Sequence, residues 1–317
     1  MTGNDLRPRM HADEIFADAA LLQRLIERQF PQWANLPIVP VGSGGTSNAI
    51  YRLGGDMAAR LPLRPSGAGQ AALEHRWLPR LAPHLPVAIA MPIALGEPDE
   101  GYPLPWSIVS WIEGEIAEFD RLADPRQFAI ELAAFIRTLR AIDPEGGPPP
   151  RKGNSGRGVP LSQRDAAMRN ALAASHDLID VHSAERIWEE SLRAPQWDGP
   201  PCWIHGDLNP GNLILREGRL AGVIDFGSFA VGDPACDLLA AWYALPAMAR
   251  PAFRAALATD DASWSRGRGW ALSMAVIALP YYRDSNPWMM RHALRVVSEI
   301  LREQGTAQNE TARLRGR

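Results

Sequence analysis

Two carboxylates and one amide stand in an order that suits phosphoryl transfer: His205-Gly206-Asp207-Leu208-Asn209-Pro210-Gly211-Asn212, followed by Asp225-Phe226-Gly227. Moving a phosphoryl group from a nucleoside triphosphate to a hydroxyl needs a carboxylate beside the attacking oxygen. It also needs a second carboxylate and a neutral oxygen donor that hold magnesium on the phosphates. Asp207 is then the candidate base, accepting the hydroxyl proton or orienting the nucleophile, and Asn212 and Asp225 are the candidate metal ligands. Mg2+ fills much of its octahedron with water and phosphate oxygen, so two protein ligands suffice. Pro210 and Gly211 suit the turn between base and ligand. Taken singly, each of the three is more often a turn cap or a strand end; the ordered set carries the chemistry.

The surrounding pattern supplies elements to hold these residues. Apolar residues at helical spacing predict a helix over 14–30, stopped before Pro31. Extended stretches follow at 38–41, 49–53 and 57–61, the last two joined by a Gly54-Gly55-Asp56 turn. Residues 68–82 read as helix, 87–95 and 106–112 as extended. Beyond the Glu113-Gly114-Glu115 bend the pattern turns helical, at 126–142, 162–193, 235–248, 269–282 and 288–304. Two short extended pieces, 213–215 and 220–224, flank a Glu217-Gly218 turn, and the second delivers Asp225. Residues 143–160 are too rich in Pro and Gly for regular structure and read as a surface loop. The expectation is an α+β chain with a small β-rich N-terminal lobe, 1–112, and a larger, mostly helical C-terminal lobe, 113–317.

HxDLxxxN with a later DFG is similar to the protein-kinase catalytic set. HGDLNPGN, VIDFG and GDPACDL together resemble more closely the aminoglycoside phosphotransferase family, which includes macrolide, choline and other small-molecule kinases. The motifs span about 205–238, and the lobe order extends the likeness over most of the chain. The resemblance implies a protein-kinase-like two-lobe fold and a phosphotransferase with an alcohol group as acceptor. It further implies ATP or GTP as donor, Mg2+, a small hydroxylated substrate such as an aminoglycoside or macrolide, and a link to antibiotic resistance. Gly206 stands where protein kinases carry an arginine, and Asp233-Pro234 follows Gly227 too soon for a long activation segment, which favours a small acceptor over a peptide. Asp233 and Pro234 read as the cap and first residue of a helix, and the resemblance gives Asp237 the task of bracing the catalytic loop.

On the nucleotide side, the 41–48 segment is rich in glycine and offers Ser43, Thr46 and Ser47 to the phosphates, although a plain hairpin turn fits it as well. Such kinases grip the α and β phosphates with a strand lysine held by a helix glutamate. The chain has one lysine, Lys152, in the Pro/Gly loop, so Arg60 is the substitute cation and Glu74 its partner. Guanidinium and ammonium differ in shape, yet arginine binds phosphate well. The stretch from Trp106 to Glu115 resembles the hinge whose backbone pairs with a purine, with the Ser110 carbonyl and the Ile112 N–H as candidates.

Composition sets further bounds. Hydrophobic residues are 46%, charged residues 22%, and the net charge is −3, so nothing argues for nucleic acid or an anionic membrane as partner. Two cysteines, no apolar run of spanning length and no signal-like start suggest a cytoplasmic protein. Trp242, Tyr243, Trp270, Tyr281, Tyr282 and Trp288 are divided between core and acceptor wall, and Asp260-Asp261, Glu113, Glu115 and Glu118 between acceptor wall and solvated surface. A Cys202/His205 thiol pair is disfavoured, since residues three apart on an extended strand face opposite sides; His205 instead braces the loop. Two rivals stay open: a nucleotide-binding pseudokinase without turnover, motivated by Arg60, and a protein kinase.

Overall fold

The computed structural model describes residues 14–42, 47–118, 121–151 and 156–315, with side chains to 304. It divides into two compact units. The first takes in the chain up to Pro83, Val87–Gly114 and Gly222–Gly227; the second takes in His84–Pro86, Glu115–Ala221 and the chain from Ser228.

The first unit is a sheet with a helix on its face. Helix α1 (Ala19–Gln29) precedes strands β1 (Ile38–Pro40), β2 (Asn48–Leu53) and β3 (Met57–Pro62), then α2 (Gln70–Leu81), β4 (Ala88–Ile89), β5 (Pro92–Gly96) and β6 (Trp106–Ser110). Five strands pair antiparallel in the order β1-β2-β3-β6-β5. Leu21, Leu22, Leu25 and Ile26 form one buried stripe on α1 and pack on Tyr51, Leu53, Ala59, Leu61, Trp106 and Ile108. Each such side chain stabilises by about 1.5–3 kcal/mol when fully buried. Strand alternation sends Met57, Ala59 and Leu61 to that face and Ala58 and Arg60 to the other. There Ala58, Ala90 and Val109 form a second cluster with Ile50, Trp111 and Ile224. The helix expected from 14 begins only at Ala19, because the Asp18 carboxylate caps it by accepting from the Leu21 N–H (2.7 Å). Ile15 is tied instead to the Leu63 carbonyl (2.8 Å).

In the second unit the order is β7 (Glu115–Ile116), α3 (Pro125–Ala141), α4 (Asp165–Ala173), α5 (Val181–Arg193), β8 (Cys202–Ile204), β9 (Leu213–Arg216), β11 (Ala230–Gly232), α6 (Ala240–Tyr243), α7 (Arg250–Ala256), α8 (Asp261–Tyr282) and α9 (Pro287–Arg315). Strand β10 (Arg219–Val223) starts in this unit and ends in the first, where Gly222 and Val223 pair parallel with Ala88 and Ile89 of β4. The stretch expected as one helix over 162–193 is two, because Asp180 starts a new one by capping Ser183. The 235–248 stretch is a 3-10 turn, Pro234–Leu239, followed by the four-residue α6. Asp233 caps that turn through the Ala235 N–H with Pro234 at its start. Helix α8 starts eight residues before the expected 269, at Asp261. Among the described residues no helix is long and apolar enough to cross a membrane.

Candidate active site

In the first unit Arg60 is held on two sides. Its Nη1 donates to Glu74 Oε2 (2.7 Å) and its Nη2 to Asp225 Oδ1 (3.3 Å). Burial alone would lower the guanidinium pKa, but the charges of Glu74 and then Asp225 outweigh it and hold the group above its ordinary value. Gln70 completes the network, donating to Glu74 Oε1 (3.0 Å) and to the Phe226 carbonyl (2.9 Å). Helix α2 is thereby fastened to the Asp225-Phe226-Gly227 turn. Asp225 has φ +60°, a region where a non-glycine residue is strained; the Gly227 N–H on Oδ1 (3.2 Å) helps hold it there. Sequence reasoning missed Gln70; its signal was a side-chain amide four residues before Glu74 on one helix face.

The second unit carries the catalytic-loop sequence. The Asn212 amide nitrogen donates to the Asp207 carbonyl (2.8 Å) and to its carboxylate Oδ2 (3.2 Å). Asn209 turns the chain by accepting from the Gly211 N–H (2.9 Å). His205 Nδ1 accepts from the Asp207 N–H (3.2 Å), and the fully buried Asp237 carboxylate accepts from the N–H groups of His205 (2.9 Å) and Gly206 (2.7 Å). Burial pushes the Asp237 carboxyl pKa up, opposed by His205 and these two N–H groups. Gly206 has φ +82°, and a Cβ there would meet the Ser228 carbonyl at 2.7 Å and Arg157 Cβ at 2.8 Å. Only glycine fits, whatever the acceptor. Arg157, also missed from the sequence because it lies in the irregular Pro/Gly loop, donates to the Gly206 carbonyl (2.9 Å).

Asp207 and Asn212 therefore meet within the second unit, and Arg60, Glu74 and Asp225 within the first. Ser110 donates its N–H to the Met91 carbonyl (2.8 Å), and its Oγ accepts from the Met91 N–H (2.9 Å). The Ile112 N–H has no hydrogen-bond partner among the described residues. Ser47 is exposed and its carbonyl accepts from Leu63 (2.9 Å); Ser43 and Thr46 lie outside the described residues. Trp242, Tyr243 and Trp270 are core, while Tyr281 and Trp288 are exposed. Burial pushes the Cys202 thiol up to about 11, which keeps it protonated and unreactive.

Each unit offers an oxygen of the kind a hard divalent cation prefers. Asp225 Oδ2 and the Asn212 amide oxygen accept no hydrogen bond among the described residues. Among those residues, no group of three or more His, Cys, Asp or Glu gathers as a metal cage.

A family model described as "Phosphotransferase enzyme family" matches residues 37–270. The chain belongs to that family of phosphotransferases. An aminoglycoside 3'-phosphotransferase of Escherichia coli is 28% identical over 218 residues, which cover 65% of this chain and 75% of that protein. Among solved structures, the GDP complex of aminoglycoside 2'-phosphotransferase-IIIa is similar with a TM-score of 0.71 at 21% identity, covering 91% of this chain and 100% of that one. The apoenzyme of macrolide 2'-phosphotransferase MphH from Brachybacterium faecium gives 0.58 at 22% identity, covering 88% and 97%. These likenesses show an α+β fold of the kinase-like phosphotransferase type, β-sheet first and helical after.

Proposed function

We propose that the chain transfers the γ-phosphoryl group of ATP or GTP to a hydroxyl of a small molecule, with Asp207 as the base and Asn212 and Asp225 as ligands of Mg2+. The observation that carries this reading is the Asn212 amide fixed on the Asp207 carboxylate, with its amide oxygen left over as a donor. Asp207 Oδ2 receives the Asn212 N–H, while Oδ1 accepts no hydrogen bond among the described residues and is the atom for the acceptor's hydroxyl. The hydroxyl oxygen forms the new bond to the γ-phosphorus as the bond from that phosphorus to the β–γ bridging oxygen breaks. The hydroxyl proton passes to Asp207 and a nucleoside diphosphate leaves. Bound Mg2+ would neutralise charge on the β and γ phosphates.

Nucleotide binding is assigned to residues 1–112, and the acceptor and the base to 113–317. Ile50, Ala58, Ala90, Val109, Trp111 and Ile224 give a purine an apolar slot on the same sheet face as Arg60. The Ser110 carbonyl and the Ile112 N–H pair with its edge. Arg60, positioned by Glu74, grips the α and β phosphates, with Ser43, Thr46 and Ser47 at the glycine-rich turn. A nucleotide triphosphate donor puts the enzyme in the cytoplasm. Aminoglycosides and macrolides, named for the similar proteins, head the acceptors to try.

The Arg60-for-lysine exchange also favours a second reading, nucleotide binding without turnover. Magnesium-dependent nucleotide consumption, measured against a panel of hydroxylated antibiotics and metabolites with wild type and Asp207→Asn, decides between them. Acceptor-stimulated consumption abolished by Asp207→Asn supports the enzyme. Nucleotide binding with no stimulated consumption supports the pseudokinase, and phosphorylation of peptides alone would make it a protein kinase.

A further inference from the structure

The aim of a carboxylate is set by the peptide in front of it, and in front of Asp207 that peptide belongs to a glycine. Rotation about ψ of Gly206 swings the Gly206–Asp207 peptide and the carboxylate with it, and a residue without a Cβ resists that rotation least. The restraint has to come from other parts of the chain. The Asp207 N–H donates to His205 Nδ1 (3.2 Å), and the Gly206 carbonyl, at the other side of the same peptide, accepts from Arg157 Nε (2.9 Å). The Gly206 N–H, on Asp237 Oδ1 (2.7 Å), fixes the peptide before. A Cβ on residue 206 would lie 2.8 Å from Arg157 Cβ and 3.0 Å from its Cγ, so the arginine stem covers the place a side chain would take. The Gly206 carbonyl is the one hydrogen-bond partner of the Arg157 side chain among the described residues.

Arg157 is only half-buried, yet its backbone is tied down. The Gly158 carbonyl accepts from the Asp233 N–H (3.0 Å), the Pro148 carbonyl from the Val231 N–H (2.8 Å) and the Asp143 carbonyl from Trp203 Nε1 (3.0 Å). Val231 pairs with Trp203, and Ala230 with Ile204, in the β8–β11 ribbon, and β8 runs directly into His205. Gly158, at φ +79°, lies so close to this ribbon that a Cβ there would meet Ile204 Cδ1 at 2.5 Å. The described part of the segment expected as a surface loop is therefore laced onto the ribbon that carries the catalytic-loop sequence, and Arg157 is the side chain it extends to that loop.

We propose that Arg157 is a positioning residue for phosphoryl transfer: by holding the Gly206 carbonyl it fixes the direction in which Asp207 meets the acceptor hydroxyl. This rests on the phosphotransferase reading and adds to it a residue that touches neither nucleotide nor acceptor. The role belongs to the donor atom and not to the charge, and side-chain geometry separates the two. The amide nitrogen of glutamine stands as many bonds from Cα as arginine Nε, so Arg157→Gln keeps the donor and loses the charge. Arg157→Met keeps the stem and loses both.

The test follows Mg2+-dependent consumption of ATP and of GTP by the full chain, with kanamycin, erythromycin or water as acceptor. Amide hydrogen exchange over 203–212, read by mass spectrometry, reports the loop itself. In Arg157→Met, kcat should fall by about 10- to 100-fold, the scale of a misaimed reacting group, with the nucleotide KM within about twofold of wild type. Exchange over 203–212 should speed up at least about fivefold. Arg157→Gln should recover kcat to within about threefold and restore the slow exchange. Unchanged kcat or unchanged exchange in Arg157→Met overturns the proposal, as does a lowered urea midpoint in which kcat and KM shift together. So does Arg157→Gln falling as far as Arg157→Met, which would assign the guanidinium charge to a ligand. Should Arg157→Met fail to fold, Arg157→Gln alone decides: kcat near wild type supports the proposal, and a fall of about tenfold or more overturns it. Faster exchange in Arg157→Met, reversed in Arg157→Gln, in a chain that consumes no nucleotide with any acceptor would leave the restraint on Asp207 standing and sink the phosphotransfer reading.

Discussion

Arg60 and Glu74 should be energetically coupled, and the geometry gives the size. Glu74 is 2% exposed and Arg60 11%. Arg60→Met strands a buried carboxylate, and breaking a buried pair costs about 3–5 kcal/mol. Gln70 still donates to Glu74 Oε1 (3.0 Å), which puts the expectation near 3 kcal/mol. Glu74→Gln leaves a neutral acceptor facing Arg60, which keeps Asp225 at 3.3 Å, and should cost about 1–1.5 kcal/mol. The double variant strands no charge, so it should cost about 2 kcal/mol, well below the two single costs together, a coupling of about 2 kcal/mol. Arg60→Lys keeps one carboxylate and gives up the second; because Asp225 is 40% exposed, about 1 kcal/mol is expected. Equilibrium urea unfolding of the four proteins measures the cycle, and the nucleotide KM should follow the same order. Costs that add to within about 0.5 kcal/mol would refute the pairing argument.

Gly206→Ala forces a Cβ to 2.7 Å from the Ser228 carbonyl at φ +82°. A loss of about 2–4 kcal/mol in thermal unfolding, with turnover falling alongside, is expected; a neutral result would mean that the loop is not so confined. Asp237→Ala leaves two buried N–H groups unpaired, at about 1–3 kcal/mol each, and Asp237→Asn should fall between it and wild type in urea midpoint. Burial, then Arg295, holds the folded pKa of His292 down at about 3, below its ordinary 6.5, so the unfolded chain binds the extra proton. Its contribution to stability is full above about 6.5 and is lost as pH falls toward 3, at up to about 1.4 kcal/mol per unit. His292→Gln should flatten that decline relative to wild type in urea midpoints taken from pH 7 to pH 4.

Long, strongly patterned features were legible in the sequence. The β2–β3 hairpin around Gly54 and the α1 stripe followed from alternation and spacing, and the Asn212 contact with Asp207 from their order in one short loop. Where periodicity was shared by two elements it misled: 162–193 keeps helical spacing across 174–180, and only the Asp180 cap shows where α5 begins. Strands β8 and β11, three residues each, are too short for alternation to register. Ile15 and Phe16 fall on the apolar spacing of α1 and extend the expected helix back to 14, yet Phe16 is 58% exposed. Arg157 reaches Gly206, and Gln70 reaches Phe226, across more than forty residues of chain, links that no local pattern announces; only the Gln70–Glu74 pair, one helical turn apart, had a local signal, and Glu74 stands out because α2 offers no other carboxylate.

The central claim is that Asp207 handles a proton while Asn212 and Asp225 hold a metal on the nucleotide. Mn2+ titration followed by electron paramagnetic resonance, with a non-hydrolysable nucleotide present, separates these roles. Asn212→Ala and Asp225→Ala should weaken metal–nucleotide binding by about tenfold or more, the scale of a lost ligand. Asp207→Asn should leave it within about twofold while turnover falls by about 10²–10⁴-fold. Metal binding untouched by Asn212→Ala and Asp225→Ala, or lost with Asp207→Asn, would contradict the account.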